Sequence, residues 1–101
     1  MKIPQPKTSR DFVVVGLKPL MNYVVACMTL FNTGTDQVKL RARGRHISKT
    51  VDTINMLRSV FLKDLVIDGI EIGTDKHMSP EGKELFVSTI EILISQNPHD
   101  N

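Results

Sequence analysis

The hydrophobic period of the chain changes at a single glycine, and that change constrains the fold more than any other feature. From Lys39 to Arg43, cations at 39, 41 and 43 alternate with Leu40 and Ala42. A period of two is that of a strand with one charged and one buried face. Beyond Gly44 the apolar residues Ile47, Val51, Ile54, Leu57 and Phe61 recur at steps of four, three, three and four, which predicts an amphipathic helix over about 46 to 62. A strand that runs straight into a helix calls for two packed layers, one for each.

The rest of the chain supplies those layers. Asp11-Phe12-Val13-Val14-Val15-Gly16 is a continuous aromatic and β-branched run, as expected of a central buried strand. Pro19 suits the first turn of a helix, apolar residues at 20, 21, 24, 25, 28 and 31 share one face, and Gly34 ends it. Leu65 to Gly73 and Leu85 to Ile94 read as a third and a fourth strand, with Ser79-Pro80-Glu81-Gly82 placed for a tight turn. Residues 74 to 84 are almost entirely polar, so the hairpin over 73–86 should project into solvent. The fourth strand carries Phe86, Ile90, Ile92 and Ile94 on one face and Leu85, Val87 and Leu93 on the other. Two helices cover only one face of a sheet, so the apolar surplus predicts a second subunit. The expected architecture is an α/β two-layer domain, β-α-β-α-β-β, with a four-stranded mixed sheet and two helices on one face. With 101 residues there is room for one such domain, over 11–95, between a basic tail at 1–10 and a polar tail at 96–101.

The net charge of +2 conceals a division. Residues 1–51 hold nine Lys or Arg against two acids, and residues 52–101 hold four against nine. That asymmetry points to a basic face for a polyanionic partner and an acidic remainder that limits non-specific sticking. The single Cys27 lies in an apolar helical run, where it reads as a small buried hydrophobe and excludes a disulfide scaffold within the chain. One thiol suits a reducing compartment. Neither a signal-peptide core nor an apolar run of bilayer length occurs, so a cytoplasmic location without a membrane partner is expected. With no Trp, one Tyr and four Phe, stacking of splayed bases on an aromatic sheet is not the leading mechanism. The histidines stand far apart at 46, 77 and 99, and neither metal-ligand spacing nor a phosphate-cradling glycine loop appears. No enzyme and no cofactor is therefore expected.

Lys18 precedes the first helix and Arg43 with Arg45 precede the second, so this topology gathers the cations and two helix N-termini on one rim. Free backbone donors and partial positive charge at helix starts favour phosphate, and arginine forks grip phosphate oxygens bidentately. Asn22, on the exposed side of the first helical turn, adds a hydrogen-bond donor. Arg41 and Lys49 flank the same segment, and Lys76 and Lys83 lie on the arm, completing the set expected to contact nucleic acid. A solvated strand edge guarded by charge fits the local pattern as well, and the residues leave both readings open. Phe61, with Val60 at the end of the second helix, suits either a core cap or a contact with another protomer.

Three segments carry a resemblance to a known family. Gly16-Leu17-Lys18-Pro19-Leu20-Met21-Asn22-Tyr23-Val24 is similar to an opening of glycine, two lysines, proline, an aliphatic residue and Met-Asn-Tyr-Val. That opening belongs to the Alba family of small archaeal chromatin and RNA-binding proteins. Arg41 to Asp52 resembles the family's ARGRxISKxVD segment, and Val87-Ser88-Thr89-Ile90-Glu91-Ile92 its closing strand. The resemblance implies a fold like the C-terminal domain of translation initiation factor 3, a homodimer, and chromosome-associated DNA condensation. Duplex binding would use the basic rim, with the two arms along the minor groove. Carried over by position, Lys18, Asn22, Arg43 and Arg45 would contact nucleic acid, and Phe61 would make dimer-to-dimer contacts. Leu17 stands where the family has its first lysine, which removes one phosphate contact. Asp75, Glu81 and Glu84 offset Lys76 and Lys83 on the arm, so binding weaker, more salt-sensitive or more selective than that of a richly basic relative is expected.

Double-stranded DNA and RNA are both expected partners, because phosphate contacts do not separate them. An RNA chaperone or ribonucleoprotein subunit on the same fold is the nearer rival to chromatin architecture. A protein-interaction module using the acidic half is the more distant one.

Overall fold

The computed structural model describes residues 9–96; the remaining residues of the two expected tails, 1–8 and 97–101, lie outside the described residues. In chain order the elements are β1 (Arg10–Val14), α1 (Leu20–Asn32), β2 (Gln37–Arg43), a 3₁₀ turn (Gly44–His46), α2 (Ile47–Met56), a π-turn (Leu57–Phe61), β3 (Leu65–Met78) and β4 (Glu84–Gln96). The strands form one mixed sheet ordered β1-β2-β4-β3, with β1 parallel to β2 and β4 antiparallel to both its neighbours. Alternate strand residues Val13, Val38, Leu40, Ala42, Ile90, Ile92 and Ile94 join Tyr23, Val24, Cys27, Phe31, Ile54 and Leu57 of the helical layer in one core. The other sheet face is open, as the two-layer expectation requires.

Strand order corrects the reading of β1. The apolar run at 11–16 suggests a strand buried on both faces, but β1 lies at the edge of the sheet. Val13 and Val15 are buried, whereas Phe12 and Val14 are 55% and 69% exposed on the open face. An unbroken apolar run hides the two-residue period that would have told the faces apart. The helices are rotated from their expected faces in a similar way. In α1 Tyr23 and Cys27 are buried beside Val24 and Phe31, while Met21 and Val25 are exposed. Burial pushes the Cys27 thiol up to about 12 from its usual 9.0, so at neutral pH it is a protonated space-filler. In α2 the fully buried residues are Thr50 and Thr53, whose hydroxyls donate to the carbonyls of His46 (3.1 Å) and Lys49 (2.7 Å). With its oxygen satisfied one turn back, each threonine turns its methyl to the core. Val51 and Phe61, expected on that stripe, are exposed.

The long hairpin has a bulge near its base. Ile67 opposes Ile94 and Gly69 opposes Leu93, so Asp68 is the extra residue. One inserted residue reverses the side-chain parity of all that follows, placing Ile70 and Ile72 on the helix-side face, opposite Ile92 and Ile90. Beyond the helices' cover both are exposed. Pairing continues from Gly73↔Thr89 out to Met78↔Glu84, so the polar segment forms a paired arm that reaches about 20 Å. At its tip the Ser79 N–H donates to the Lys83 carbonyl (2.8 Å) and the Gly82 N–H to the Ser79 carbonyl (2.9 Å). Gly82 sits at φ +82°, a value that favours glycine.

Candidate nucleic-acid interface

Because β1 and β2 are parallel neighbours, the loops that leave them emerge at the same end of the sheet. The first loop is clamped from two sides. The Tyr23 hydroxyl accepts from the N–H groups of Gly16 (3.0 Å) and Lys18 (3.1 Å), while the Lys49 ammonium donates to the carbonyls of Gly16 (2.6 Å) and Lys18 (2.8 Å). Lys49 Nζ also lies 5.9 Å from the centre of the Tyr23 ring. Since Lys49 belongs to α2, this clamp ties the start of the second helix directly to the loop before the first. Lys18 is thereby held at its backbone, with its side chain exposed and no side-chain partner among the described residues.

Gly44 makes the second turn of the rim. Its φ of +59° is a left-handed conformation, and a Cβ there would stand 3.4 Å from Val87 Cγ1. The chain therefore swings from extended Arg43 into the 3₁₀ turn that carries exposed Arg45. Like Lys18, the Arg45 guanidinium has no side-chain partner among the described residues. No side chain caps α1, the 3₁₀ turn or α2, and none has an acid in its first turn. The start of α1 therefore leaves N–H donors facing outward, uncompensated by carboxylates. Asn22, exposed on that turn, lines one groove with Lys18, Phe12 and Val14 between β1 and α1.

On the open face the basic strand has acquired acidic neighbours. Arg41 Nε lies 2.8 Å and Lys39 Nζ 3.4 Å from the two oxygens of Glu91, the residue opposite Arg41 on β4. Arg43, the last residue of β2, reaches the arm, with Nη1 3.5 Å from Asp75 and 3.4 Å from His77 Nε2. Its side chain remains 59% exposed, so this contact is solvated and exchangeable. A concavity lined by Arg41, Arg43, His46, Glu71, Asp75 and Glu91 mixes both signs. It is a poorer anion site than the rim above it.

Of the residues singled out in the sequence, Lys18 with Asn22 line one groove and Arg41 with Arg43 the other, and Val14 lines both. Arg45 stands at the turn between β2 and α2. Lys49 faces loop carbonyls. Lys76 pairs with Glu84 across the arm at 3.1 Å, and Lys83 is exposed at its tip. Phe61 is exposed in the π-turn, far along the chain from the rim. Sequence reasoning missed Tyr23 as a positioning residue. Its place one turn into the helix, four residues after Pro19, is the signal that was available.

Among the described residues no helix is long and apolar enough to cross a membrane, and no group of three or more His, Cys, Asp or Glu could hold a metal ion. A profile of the Alba family matches residues 11–74. The DNA/RNA-binding protein Alba of Methanocella arvoryzae is 46% identical over 86 residues, which is 85% of this chain and 90% of the relative. Alba from Thermoplasma volcanium superposes with a TM-score of 0.79 at 38% identity, over 84% of this chain and 99% of that one. ALBA1 from Trypanosoma brucei shares the fold at a TM-score of 0.65 and 23% identity, over 92% of this chain and 72% of that one. The motifs of the rim, the profile match and the 46% identical relative agree, and the chain belongs to the Alba family.

Proposed function

We propose that this chain is a homodimeric nucleic-acid-binding protein of the chromosome, which grips the duplex sugar-phosphate backbone with its rim and lays two arms along the minor groove. The observation that carries this is the clamped first loop, where Lys49 and Tyr23 fix the backbone that presents Lys18, at the same end of the sheet as the turn with Arg45 and the uncapped helix starts. A loop whose backbone is already fixed suits a phosphate rail, because little loop ordering remains to be done on binding. The Methanocella arvoryzae relative is named as a DNA/RNA-binding protein, which supports the same class of partner.

Dimerisation rests on apolar surface that one copy leaves in water. Val51, Val60, Ile70, Ile72 and Phe86 are all at least 40% exposed, and burial is worth about 25 cal/mol per Å² of apolar area. Phe61, exposed beside Val60, is a candidate for contacts between dimers. An RNA chaperone or ribonucleoprotein subunit is the alternative, favoured by the breadth of the relative's name, and it would use the same rim. Either role places the protein in the cytoplasm, on the chromosome or on RNA.

Reversing two charges tests the assignment. The variant carrying Arg43→Glu and Arg45→Glu should lose duplex and RNA binding while keeping its circular dichroism spectrum and its dimeric mass. Retained binding by that folded dimer overturns the rim. Sequencing the nucleic acid crosslinked to the protein in cells then apportions DNA and RNA.

A further inference from the structure

We propose that the free edge of β1 carries a stacking site for one unstacked base of a single-stranded nucleic acid, with Phe12 as its platform. This rests on the nucleic-acid-binding role above and adds a substrate class to it. Phe12 is 55% exposed on the uncovered face of an edge strand, so the ring contributes little to the core. Two cations stand against it, with Lys39 Nζ 5.9 Å and the Arg41 guanidinium carbon 5.7 Å from the ring centre. Both belong to β2, the strand on one side of β1, and Glu91 pairs with both. On the other side β1 has no neighbouring strand among the described residues.

The ring also lies on a path from the rim. Phe12 and Val14 line the groove between β1 and α1 that holds Lys18 and Asn22. A strand whose phosphate sits at Lys18 can therefore run along the β1 edge and set a base on Phe12, whose ring Lys39 and Arg41 hold in place. Glu91 pairs with both of those cations and Glu71 lines the same concavity as Arg41, so what the patch offers a single strand is the exposed ring and not an excess of positive charge. A duplex cannot use the platform, because its bases are already stacked on each other. Single strands can, and every base has a face to offer.

The sequence contains no Trp, so Phe12→Trp creates a lone fluorescent reporter at the site. Oligo(rU), oligo(dT) and a short duplex are titrated into the full chain carrying this change. Quenching by either single strand and not by the duplex is the expected result; oligo(rU) acting more strongly than oligo(dT) would place the sugar in the site as well. In parallel, Phe12→Ala should weaken single-strand binding about 5- to 150-fold, the range for loss of one stacked base, and leave duplex binding within twofold. Phe12→Tyr should restore the single-strand affinity, which separates stacking from any effect on folding. Unchanged single-strand affinity in Phe12→Ala overturns the site. So does quenching that grows with protein concentration without oligonucleotide, which would assign the ring to a second copy. Neither outcome touches the rim, whose own failure is read separately as retained duplex binding in the Arg43→Glu, Arg45→Glu variant.

Discussion

Two sets of cations lie in the first half of this chain, and the structure treats them differently. Lys39 and Arg41, on the body of β2, share Glu91 and lean on Phe12. Lys18 and Arg45, in the loops at the end of the sheet, have no side-chain partner among the described residues. A cation on a strand meets whatever the neighbouring strand presents, whereas one on a turn past the last pairing has no paired strand opposite it. Arg43 stands between the two cases, at the end of β2 and within reach of Asp75 and His77 on the arm. The difference between the sets separates charge that organises the sheet from charge left available to a partner.

The largest effect should come from the available set. Each phosphate contact contributes about 0.9 to the log-log salt slope, or roughly eightfold in affinity at 0.1 M salt. Lys18→Ala with Arg45→Ala should therefore weaken duplex binding by about 60-fold at that salt for each protomer in contact with the duplex, measured by fluorescence anisotropy. The loop clamp comes next. Tyr23→Phe deprives the Gly16 and Lys18 N–H groups of their acceptor, which should cost about 1–3 kcal/mol of stability in denaturant titration. It should also loosen duplex binding by less than the double alanine change. Asp75→Asn acts in the opposite direction: by freeing Arg43 from a solvated pair worth at most about 1 kcal/mol, it should tighten duplex binding about two- to fivefold. Arg41→Ala should change duplex affinity least, by under about threefold, because Glu91 already satisfies that guanidinium. A large loss from Arg41→Ala would erase the distinction between the two sets.

The sequence showed the cations clearly and their partners poorly. Alternation through β2 and the glycine at 44 were local signals, and the structure has Val38, Leu40 and Ala42 buried with Gly44 at positive φ. Glu91 and Asp75, by contrast, meet Arg41 and Arg43 only through strand pairing across long separations in the chain, which no local period records. Thr50 and Thr53 looked polar in the sequence because their hydroxyls count as polar until a backbone acceptor one turn away is known. Lys49 looked like one more phosphate ligand. Its carbonyl partners lie 31 and 33 residues back, in the loop before α1. The edge position of β1 was hidden for a related reason, since three consecutive valines give no hint of which face is covered.

The most direct measurement is the salt dependence of duplex affinity for three proteins: the parent chain, Lys18→Ala with Arg45→Ala, and Lys39→Ala with Arg41→Ala. If the loop cations meet the phosphates, the first pair of changes makes the log-log slope shallower by about 1.8 for each protomer in contact with the duplex, while the second alters it by less than about 0.5. Equal changes in slope for the two variants, or an unaltered slope without Lys18 and Arg45, would contradict the assignment of the rim.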